Sequence, residues 1–570
     1  MTSEEGRLAP AGTVREETHR VAADLGWWQT GVVYQIYPRS FADTNGDGIG
    51  DLAGILEHLD HLAGGPDSLG VDAIWLSPFY PSPDHDFGYD VADYVDVDPK
   101  YGSLADFERL VEGCHRRGIR VVIDLVLNHS SSQHAWFQAS RQGRSGPFAD
   151  WYIWRDSPGR SSTGGRRPPN NWRSFFGGSA WTWDDARGQF YLHTFLPEQP
   201  DLNWRNPAVR EALLGVVRTW LARGVDGFRL DVFNTFFKDE RLRSNPRRVG
   251  RRGLWSWQHH RYDRNQPELL DLLRELREIV DEHPGRMSVG ELFDGSLAEA
   301  APLIQPGHLV FDWSMIQVPW SATAFRRAIE ARDAVFGAER WPANVLSNHD
   351  QPRHASRLAP TGERAASAEV GDARAKVAAT LLLTLRGTPF LYYGEELGLR
   401  NLSVPNAVAL DPPARRASIL SPWWNRDQAR GPMPWNSAPG AGFTTGQPWL
   451  PLPIDVAQRN VAMESEDEES VLNTYRRLLR LRRATPALQR GDQELVAQAN
   501  ADALTYVRRE GGSAAFVALS FAPRPVRVLL PPAPAGRAWG LAFSTAGRPT
   551  GEAVPESVTL EPLEALVATA

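Results

Sequence analysis

The sequence has little cysteine and no long apolar run. Cys114 is the single cysteine among 570 residues, which excludes an intrachain disulfide framework and a cluster of thiolate metal ligands. A short apolar stretch at 377–385 ends at Arg386, and no stretch reaches the ~18 apolar residues that span a bilayer. Residues 1–25 are polar and lack the ~7–15-residue apolar core of a secretory signal. We therefore expect a cytoplasmic protein with no membrane segment, in which residues 1–26 form a loose N-terminal tail.

An excess of basic charge is also missing. The chain has 62 Lys and Arg against 69 Asp and Glu, a formal net charge of −7. Nucleic-acid-binding proteins carry a basic footprint, so no nucleic-acid partner is expected. Hydrophobic residues make up 42% of the chain, enough for a large core, which excludes disorder throughout. What the sequence has in excess is Trp, with 21 residues; its flat face either packs in a large core or stacks against ligands such as sugars.

Eight short runs rich in β-branched or aromatic residues alternate mostly with amphipathic, helix-like segments. The runs are residues 32–37, 72–76, 120–127, 227–232, 288–292, 309–313, 344–347 and 388–393. A strand–helix unit repeated eight times predicts an α/β fold, the parallel closed (β/α)8 TIM barrel. Catalytic groups of such barrels lie at the carboxyl ends of the strands, so the polar residues there are the candidates.

Long intervals and a change of pattern define the other domains. Residues 130–204 are too long for a βα loop and predict a small inserted domain after the third strand, over the barrel mouth. Residues 399–467 form a second long insertion, rich in Pro and Trp. Short strand-like segments over 486–570 predict a C-terminal antiparallel β-sandwich domain. The catalytic barrel then comprises residues 27–129 and 205–485.

Acidic side chains follow three of the predicted strands. Asp231 ends the fourth run, Glu291 the fifth, and Asp350 follows the seventh. Arg229 precedes Asp231 by two residues and therefore points to the same face of its strand. A charged pair inside a barrel costs several kcal/mol unless it faces the open mouth. We therefore expect the three carboxylates to converge at the mouth.

Converging carboxylates suit the cleavage of glycosidic bonds. One attacks the anomeric carbon, and a second with a raised pKa protonates the leaving oxygen. Arg229 is expected to keep Asp231 ionised, while Asp350 holds sugar hydroxyls. His129 and His349 are expected to donate hydrogen bonds. A metal hydrolase is the competing interpretation, but the two histidines lie on separate strands and form no His-x-x-x-His pair.

These segments resemble a known family. The four signatures of the α-amylase-type glycoside hydrolases (glycoside hydrolase family 13) are similar to residues 124–129, residues 227–232, Glu291 and residues 348–350. Residues 199–203 resemble a fifth signature in the form of the α-glucosidase and oligo-1,6-glucosidase branch. Residues 86–90 and 426–435 resemble the segments that close the sugar pocket. The resemblance runs from about residue 27 to the chain end.

The resemblance implies a role for each matching residue. It implies Asp231 as nucleophile, Glu291 as general acid/base and Asp350 as transition-state stabiliser, in a double displacement with retention. The residues implied to bind the glucosyl unit are Asp86, Tyr89, His129, Arg229, His349 and Arg430, with Phe195 near the outer edge. Val232 favours α-1,6 bonds, although other segments resemble α-1,4-acting relatives. The Asp231 and Glu291 carboxyl groups are expected to lie ~5–5.5 Å apart.

A second local pattern predicts a cation site. Asp43, Asn45, Asp47, Ile49 and Asp51 offer oxygen ligands at alternate positions with glycines between them, which suits a Ca²⁺ loop. Related α-glucosidases carry a metal here, so the resemblance implies a structural Ca²⁺, with Mg²⁺ as the alternative. A turn without metal is the competing interpretation. No organic cofactor is expected.

Three functions remain open at this stage. The first is an exo-acting retaining α-glucosidase that hydrolyses short oligosaccharides or disaccharides. The second is an α-glucosyl-transferring enzyme, or a sucrose- or trehalose-type isomerase, with the same active site. The third is a non-catalytic family member that serves as a binding subunit, which the intact carboxylates disfavour. The expected partner is a small α-glucoside; linkage preference and the choice between monomer and homo-oligomer are left open.

Overall fold

The computed structural model describes residues 25–248, 255–304, 308–360, 368–416 and 424–570. Residues 1–24 of the predicted N-terminal tail lie outside this part. Up to residue 392 the strands are β1 Val33–Ile36, β2 Ala73–Leu76, β3 Arg120–Leu125, β4 Trp154–Arg155, β5 Trp181–Asp184, β6 Gln189–Leu192, β7 Gly227–Leu230, β8 Met287–Gly290, β9 Leu309–Asp312, β10 Ala343–Val345 and β11 Thr388–Tyr392.

Eight of these strands form a closed barrel. Their order is β1-β11-β10-β9-β8-β7-β3-β2, and every neighbouring pair is parallel. Each barrel strand coincides with one of the eight predicted runs within a few residues. The strands are almost entirely buried because helices cover the outside of the barrel, which explains their continuous apolar character. The predicted (β/α)8 barrel is thus confirmed.

Several of the helices begin at a side-chain cap. They are α1 Trp27–Thr30, α2 Leu52–Glu57, α3 Leu59–Leu62, α4 Leu104–Arg116, α5 Ala135–Ser140, α6 Pro207–Ala222, α7 Leu269–Asp281, α8 Leu297–Ile304, α9 Ala322–Phe336, α10 His354–Arg357, α11 Ala368–Thr384, α12 Pro412–Arg415, α13 Val461–Glu466, α14 Val471–Ala484 and α15 Pro486–Arg490. Ser103 and Asp106 form a capping box at the start of α4. In α7 the buried residues recur every three or four positions, which turns one face to the barrel.

Antiparallel sheets occupy the two segments predicted as additional domains. The interval between β3 and β7 contains a three-stranded sheet in the order β4-β6-β5, packed around Trp172, Trp181 and Phe190. The later strands are β12 Asp492–Val496, β13 Ala503–Glu510, β14 Ser513–Ser520, β15 Val526–Leu529, β16 Gly540–Ser544, β17 Ser557–Leu560 and β18 Ala565–Thr569. They form a five-stranded sheet, β12-β13-β14-β18-β16, and a two-stranded sheet, β15-β17. The exact domain limits stay predictions.

Across the ranges described above, no helix combines the length and the apolar character needed to cross a bilayer.

Candidate active site

Arg229 lies at the centre of the barrel mouth and binds three carboxylates. Its side chain is fully buried, and its Nη1 atom lies 2.7 Å from an Oδ atom of Asp231. The same guanidinium forms ion pairs with Asp124 from β3 and with Glu291, which follows β8. Because the carboxyl ends of parallel strands meet at one rim, residues far apart in sequence converge on one cation. The predicted convergence of Asp231 and Glu291 therefore has a physical link, the Arg229 side chain.

One cation does not neutralise three buried carboxylates. Burial is the largest effect on Asp231 and raises its pKa well above its usual range, and the charges of Glu291 and Asp124 add to this against Arg229. Burial likewise raises the pKa of Glu291. The expectation that Arg229 alone sets the charge of Asp231 is incomplete. The carboxylates titrate as a group that retains a proton to higher pH than an isolated carboxyl does.

Asp350 has the opposite electrostatic environment. Its Oδ1 atom lies 2.7 Å from Nη2 of Arg430 and 3.1 Å from Nη1 of Arg426, and Oδ2 lies 3.1 Å from Nε2 of His349. Burial by itself raises the pKa of Asp350, but these three neighbours together lower it well below its usual range. Asp350 is therefore ionised at neutral pH.

Asp86 and Tyr89 close the inner end of the site. Arg426 Nη2 donates to Asp86 Oδ1 at 2.6 Å, and the Gln199 amide donates to Asp86 Oδ2 at 3.1 Å. The Tyr89 hydroxyl lies 2.6 Å from Nε2 of His349, whose ring is parallel to that of Tyr89 at 5.4 Å between centroids. Burial lowers the pKa of His349 and of His129 to about 4, so both imidazoles are neutral at pH 7.

A cavity of about 300 Å³ lies between these groups; we call it the catalytic cavity. The predicted site residues on its wall are Asp86, Tyr89, His129, Phe195, Asp231, Val232, Glu291 and Asp350. In the described part of the chain, the predicted residues Arg229, His349 and Arg430 do not reach this wall but support it from behind. Sequence reasoning missed Arg426 and Gln199, which do line it. Both are the first residues of segments described above: Arg426 begins residues 426–435, and Gln199 begins the fifth signature at residues 199–203.

Aromatic side chains surround the outer part of the cavity. Phe175, Phe176, Phe195 and Phe293 contact one another, with 4.4 Å between the ring centroids of Phe175 and Phe293. We call these four residues the aromatic collar. Val232, immediately after Asp231, packs against the collar.

The backbone at Val232 is strained. It has a φ of 39°, a value unfavourable for a β-branched residue, and the surrounding core holds it in place. Of the tryptophans in the described ranges, Trp313 is the one that reaches the cavity wall. The Trp excess thus belongs mainly to packing.

The predicted cation loop is folded around its own backbone amides. Asp43 accepts hydrogen bonds from the amides of Asn45, Gly46 and Gly48 and from the Thr444 hydroxyl. Within the described ranges, no set of three or more His, Cys, Asp or Glu side chains is arranged to hold a metal ion. The loop nevertheless offers only oxygen donors, and Asn45, Asp47 and Asp51 retain acceptor capacity, which suits Ca²⁺ or Mg²⁺ by its chemistry.

A parallel barrel with carboxylates and arginines at its mouth defines an enzyme of the glycosidase class. The family model described as the α-amylase catalytic domain matches residues 35–491. The chain therefore belongs to the α-amylase family of glycoside hydrolases, as the sequence motifs predicted.

Curated relatives carry glycosidase names. A probable α-glucosidase of Rhizobium meliloti (strain 1021) is 46% identical over 508 residues, 86% of this chain and 89% of that protein. An oligo-1,6-glucosidase of Parageobacillus thermoglucosidasius is 36% identical over 534 residues, 87% and 91% of the two chains. A trehalose-6-phosphate hydrolase of Escherichia coli (strain K12) is 41% identical over 520 residues, 85% and 88% of the two chains.

Solved structures of transferring and isomerising enzymes are also similar. An α-glucosyl transfer enzyme superposes with a TM-score of 0.85 at 41% identity, covering 96% of this chain and 100% of that one. The trehalulose synthase of Pseudomonas mesoacidophila MX-45 superposes with a TM-score of 0.84 at 35% identity, with the same coverage. The fold is thus common to proteins named as glycosidases and to enzymes named for glucosyl transfer or trehalulose synthesis.

Proposed function

We propose that this protein is an exo-acting, retaining α-glucosidase that hydrolyses the terminal α-glucosidic bond of short oligosaccharides or disaccharides. The observation that carries the proposal is the shared guanidinium of Arg229, which binds Asp231 through Nη1 and Glu291 through Nη2. Two carboxylates on one guanidinium lie close together, as retaining enzymes require, whereas inverting enzymes leave room for a water between them.

The closed inner end of the catalytic cavity supports exo-action. Arg426 bridges Asp86, Asp350 and Asp411 there, and Gln199 donates to Asp86 from the other side. A chain of sugars cannot continue through this ion-paired wall. The terminal glucosyl unit therefore enters first, and the bond that is cut lies next to Asp231 and Glu291.

The proposed chemistry uses the proton that the carboxylates around Arg229 retain. With this proton on Glu291 and Asp231 ionised, Asp231 attacks the anomeric carbon, while Glu291 gives its proton to the glycosidic oxygen as the bond to the leaving group breaks. Glu291 is the more exposed of the two, with 14% of its side chain accessible against 7% for Asp231, which suits exchange of protons with the leaving group and with water. In the second step Glu291 takes a proton from water, which attacks the β-glucosyl ester of Asp231 and releases α-glucose.

Asp350 supplies charge rather than protons. Arg426 and Arg430 keep it ionised, so it can accept hydrogen bonds from sugar hydroxyls as positive charge develops on the ring. Neutral His129 and the amide of Gln199, both on the cavity wall, complete a set of donors and acceptors for one glucosyl unit.

Azide rescue tests the assignment of the two carboxylates. Asp231→Ala should abolish hydrolysis of p-nitrophenyl α-glucoside, and added azide should restore turnover with β-glucosyl azide as product. Glu291→Ala with azide should give α-glucosyl azide, because the glucosyl ester still forms on Asp231. Asp60→Ala, at an exposed carboxylate with 78% of its side chain accessible, is the matched control and should keep full activity. Release of β-glucose as the first product of the unmodified enzyme, seen by proton NMR, would refute retention.

The aromatic collar favours transfer to a sugar as the second candidate activity. Its flat apolar faces suit stacking against a sugar acceptor, which then competes with water for the glucosyl ester. Maltose, isomaltose, sucrose, trehalose, kojibiose and nigerose should be assayed with chromatography of the products. Products limited to free monosaccharides from every substrate would reject transfer and isomerisation. The same panel tests the α-1,6 preference expected from Val232.

We also propose that the loop containing Asp43, Asn45, Asp47, Ile49 and Asp51 binds a structural Ca²⁺, with Mg²⁺ as the alternative ion. Its all-oxygen donor set supports this. Thr444 donates to Asp43, which ties the loop to the second long insertion, so an ion here would stabilise that contact.

A further inference from the structure

Part of the segment between β7 and α7 is strongly basic although the whole chain is acidic. Residues 241–248 and 255–264 contain six arginines and one acidic residue, Asp263. The segment follows the strand that carries Asp231, so it lies on the catalytic rim of the barrel. A concentration of positive charge there points to an anionic ligand.

A second cavity, of about 460 Å³, lies within this segment; we call it the arginine cavity. It is lined by Pro246, Arg248, Ser256, Gln258, His259, His260, Arg261, Arg264, Asp294 and Glu299. Asp294 also lines the catalytic cavity, so the two cavities meet at this residue. Asp294 lies three residues after the proposed acid/base Glu291, on the side where the leaving group departs.

Trp255 contacts residues of both cavities. Its Nε1 atom donates to Oδ2 of Asp294 at 3.2 Å, and its ring stacks on His260 with 3.6 Å between centroids. It also makes edge-on contacts with Phe175 and Phe293 of the aromatic collar, at 5.4 and 5.7 Å between centroids. Trp255 thus links the collar of the catalytic cavity to His260 of the arginine cavity.

Most charged groups of the arginine cavity already have partners. Arg264 donates to the carbonyl groups of Phe293 and Asp294 at 2.9 and 2.6 Å, and lies 3.3 Å from the Asp294 carboxylate. Glu299 accepts from Asn265 and Ser296, and His260 is bound to Asp263.

Arg248 and Arg261 differ from these groups. Within the described ranges, neither has a carboxylate within 4 Å, and both line the cavity. Two arginines without counter-charges in one concave site form a binding site for an oxyanion.

We propose that the arginine cavity binds an anionic group, a phosphate or a carboxylate, on the leaving-group side of the substrate, so that the enzyme acts on α-glucosides whose leaving group is negatively charged. This rests on the proposed α-glucosidase function and adds a substrate class to it. The glucosyl unit is held by Asp86 and Asp350, the leaving group crosses the aromatic collar, and its anion binds Arg248 and Arg261.

Matched neutral and anionic substrates test the proposal. Trehalose 6-phosphate is compared with trehalose for a phosphate, and maltobionate with maltitol for a carboxylate. p-Nitrophenyl α-glucoside, whose leaving group has no such anion when bound, reports the proposed function itself. The variants are Arg248→Gln, Arg261→Gln and the double variant. Arg218→Gln on α6 is the control, because it removes one exposed positive charge remote from both cavities.

The proposal expects higher kcat/KM for an anionic substrate than for its neutral counterpart. Each arginine variant should reduce that ratio about tenfold, the size of one charge-assisted hydrogen bond, mainly through KM. Turnover of p-nitrophenyl α-glucoside should be unchanged in all three arginine variants. Arg218→Gln should leave both readouts unchanged.

Selectivity for both anions supports the proposal in its general form, and selectivity for one identifies which oxyanion the cavity binds. Equal kcat/KM for charged and neutral substrates, or an equal loss in Arg218→Gln, would overturn it. Absence of turnover on p-nitrophenyl α-glucoside and on all four other substrates would instead contradict the proposed function. Inorganic phosphate alone should inhibit the hydrolysis of trehalose 6-phosphate by the unmodified enzyme and should lose this effect in the double variant; inhibition that persists would count against the arginine cavity.

Discussion

Lys238 forms a buried ion pair that joins the barrel to the inserted segment. Its Nζ atom lies 2.9 Å from Oδ2 of Asp201, and the exposed fractions of the two side chains are 1% and 0%. The same ammonium donates to the Asn128 amide oxygen at 2.8 Å and to the carbonyl of Thr235. Asp201 in turn accepts from Asn128 and Thr194. We therefore expect Lys238→Met to destabilise the fold next to the active site.

The size of the effect follows from the burial. Removing one partner of a buried pair leaves an uncompensated charge and costs about 3–5 kcal/mol. Replacing both partners removes the charge, so Lys238→Met/Asp201→Asn should be more stable than Lys238→Met alone. Lys376→Met serves as the control, because the Lys376 ammonium bonds to a surface carbonyl, that of Glu469.

The pKa of Asp201 determines how the stability contributed by this ion pair changes with pH. Burial by itself raises the pKa of Asp201, but Lys238 and the hydrogen bonds from Thr194 lower it below its usual range. In the unmodified protein this contribution to stability is therefore present above the unfolded pKa of about 3.9 and is lost as the pH falls through the lower folded value. In Lys238→Met the effect of burial prevails, so the pKa of Asp201 is higher in the folded than in the unfolded state. Lowering the pH then protonates Asp201 and removes the cost of its buried charge.

Urea unfolding followed by Trp fluorescence measures these differences. The stability gap between the unmodified protein and Lys238→Met should be largest at pH 7 and should narrow toward pH 5. A gap below about 1 kcal/mol at pH 7 would refute the argument for an uncompensated charge. So would a double variant that is less stable than Lys238→Met.

Two further predictions concern the inner end of the cavity and the cation loop. Arg426→Gln leaves Asp86, Asp350 and Asp411 without their shared cation. It should lower kcat/KM for maltose about a hundredfold, since truncating a buried ion pair costs about 2–5 kcal/mol. The kcat/KM of Arg426→Lys should lie between those of the unmodified enzyme and Arg426→Gln, and unchanged kinetics in both variants would contradict the assigned role. If the cation loop binds Ca²⁺, EDTA should lower the melting temperature of the protein and added Ca²⁺ should restore it. Asp47→Asn should reduce both changes. A melting temperature that neither reagent changes would favour a turn without metal.

The barrel and the convergence of three carboxylates at its mouth could be predicted because both depend on local sequence. A strand buried on both faces must be continuously apolar, so eight such runs stand out, and each was found. A polar residue at the carboxyl end of such a strand can avoid burial in the apolar core only at the barrel mouth. That constraint predicts that Asp231, Glu291 and Asp350 lie together, and all three line the cavity.

Which side chains line the cavity and which lie behind its wall could not be predicted in the same way. Arg426 and Arg430 belong to one motif at the 3-10 helix Arg426–Ala429, and both bind Oδ1 of Asp350, but Arg426 lines the cavity whereas Arg430 does not. The motif identifies the segment, while the depth of each side chain depends on contacts with Asp86 and Asp411, which are remote in sequence. The arginine cavity could not be predicted for the same reason, since its link to the catalytic cavity is Asp294, which lines both cavities and accepts a hydrogen bond from Trp255.

The division of roles that we propose among the carboxylates rests on how cations are distributed, not on residue type. Arg229 is shared by Asp124, Asp231 and Glu291, so that group retains a proton, which is what an acid catalyst needs. Asp350 is bound by two arginines and remains charged, which is what a transition-state stabiliser needs. Asp231 and Asp350 are both aspartates at strand ends, and the sequence around Asp231 shows one neighbouring arginine. The three-dimensional count of charges, rather than that neighbour, separates the three carboxylates that share a proton from Asp350, which remains ionised.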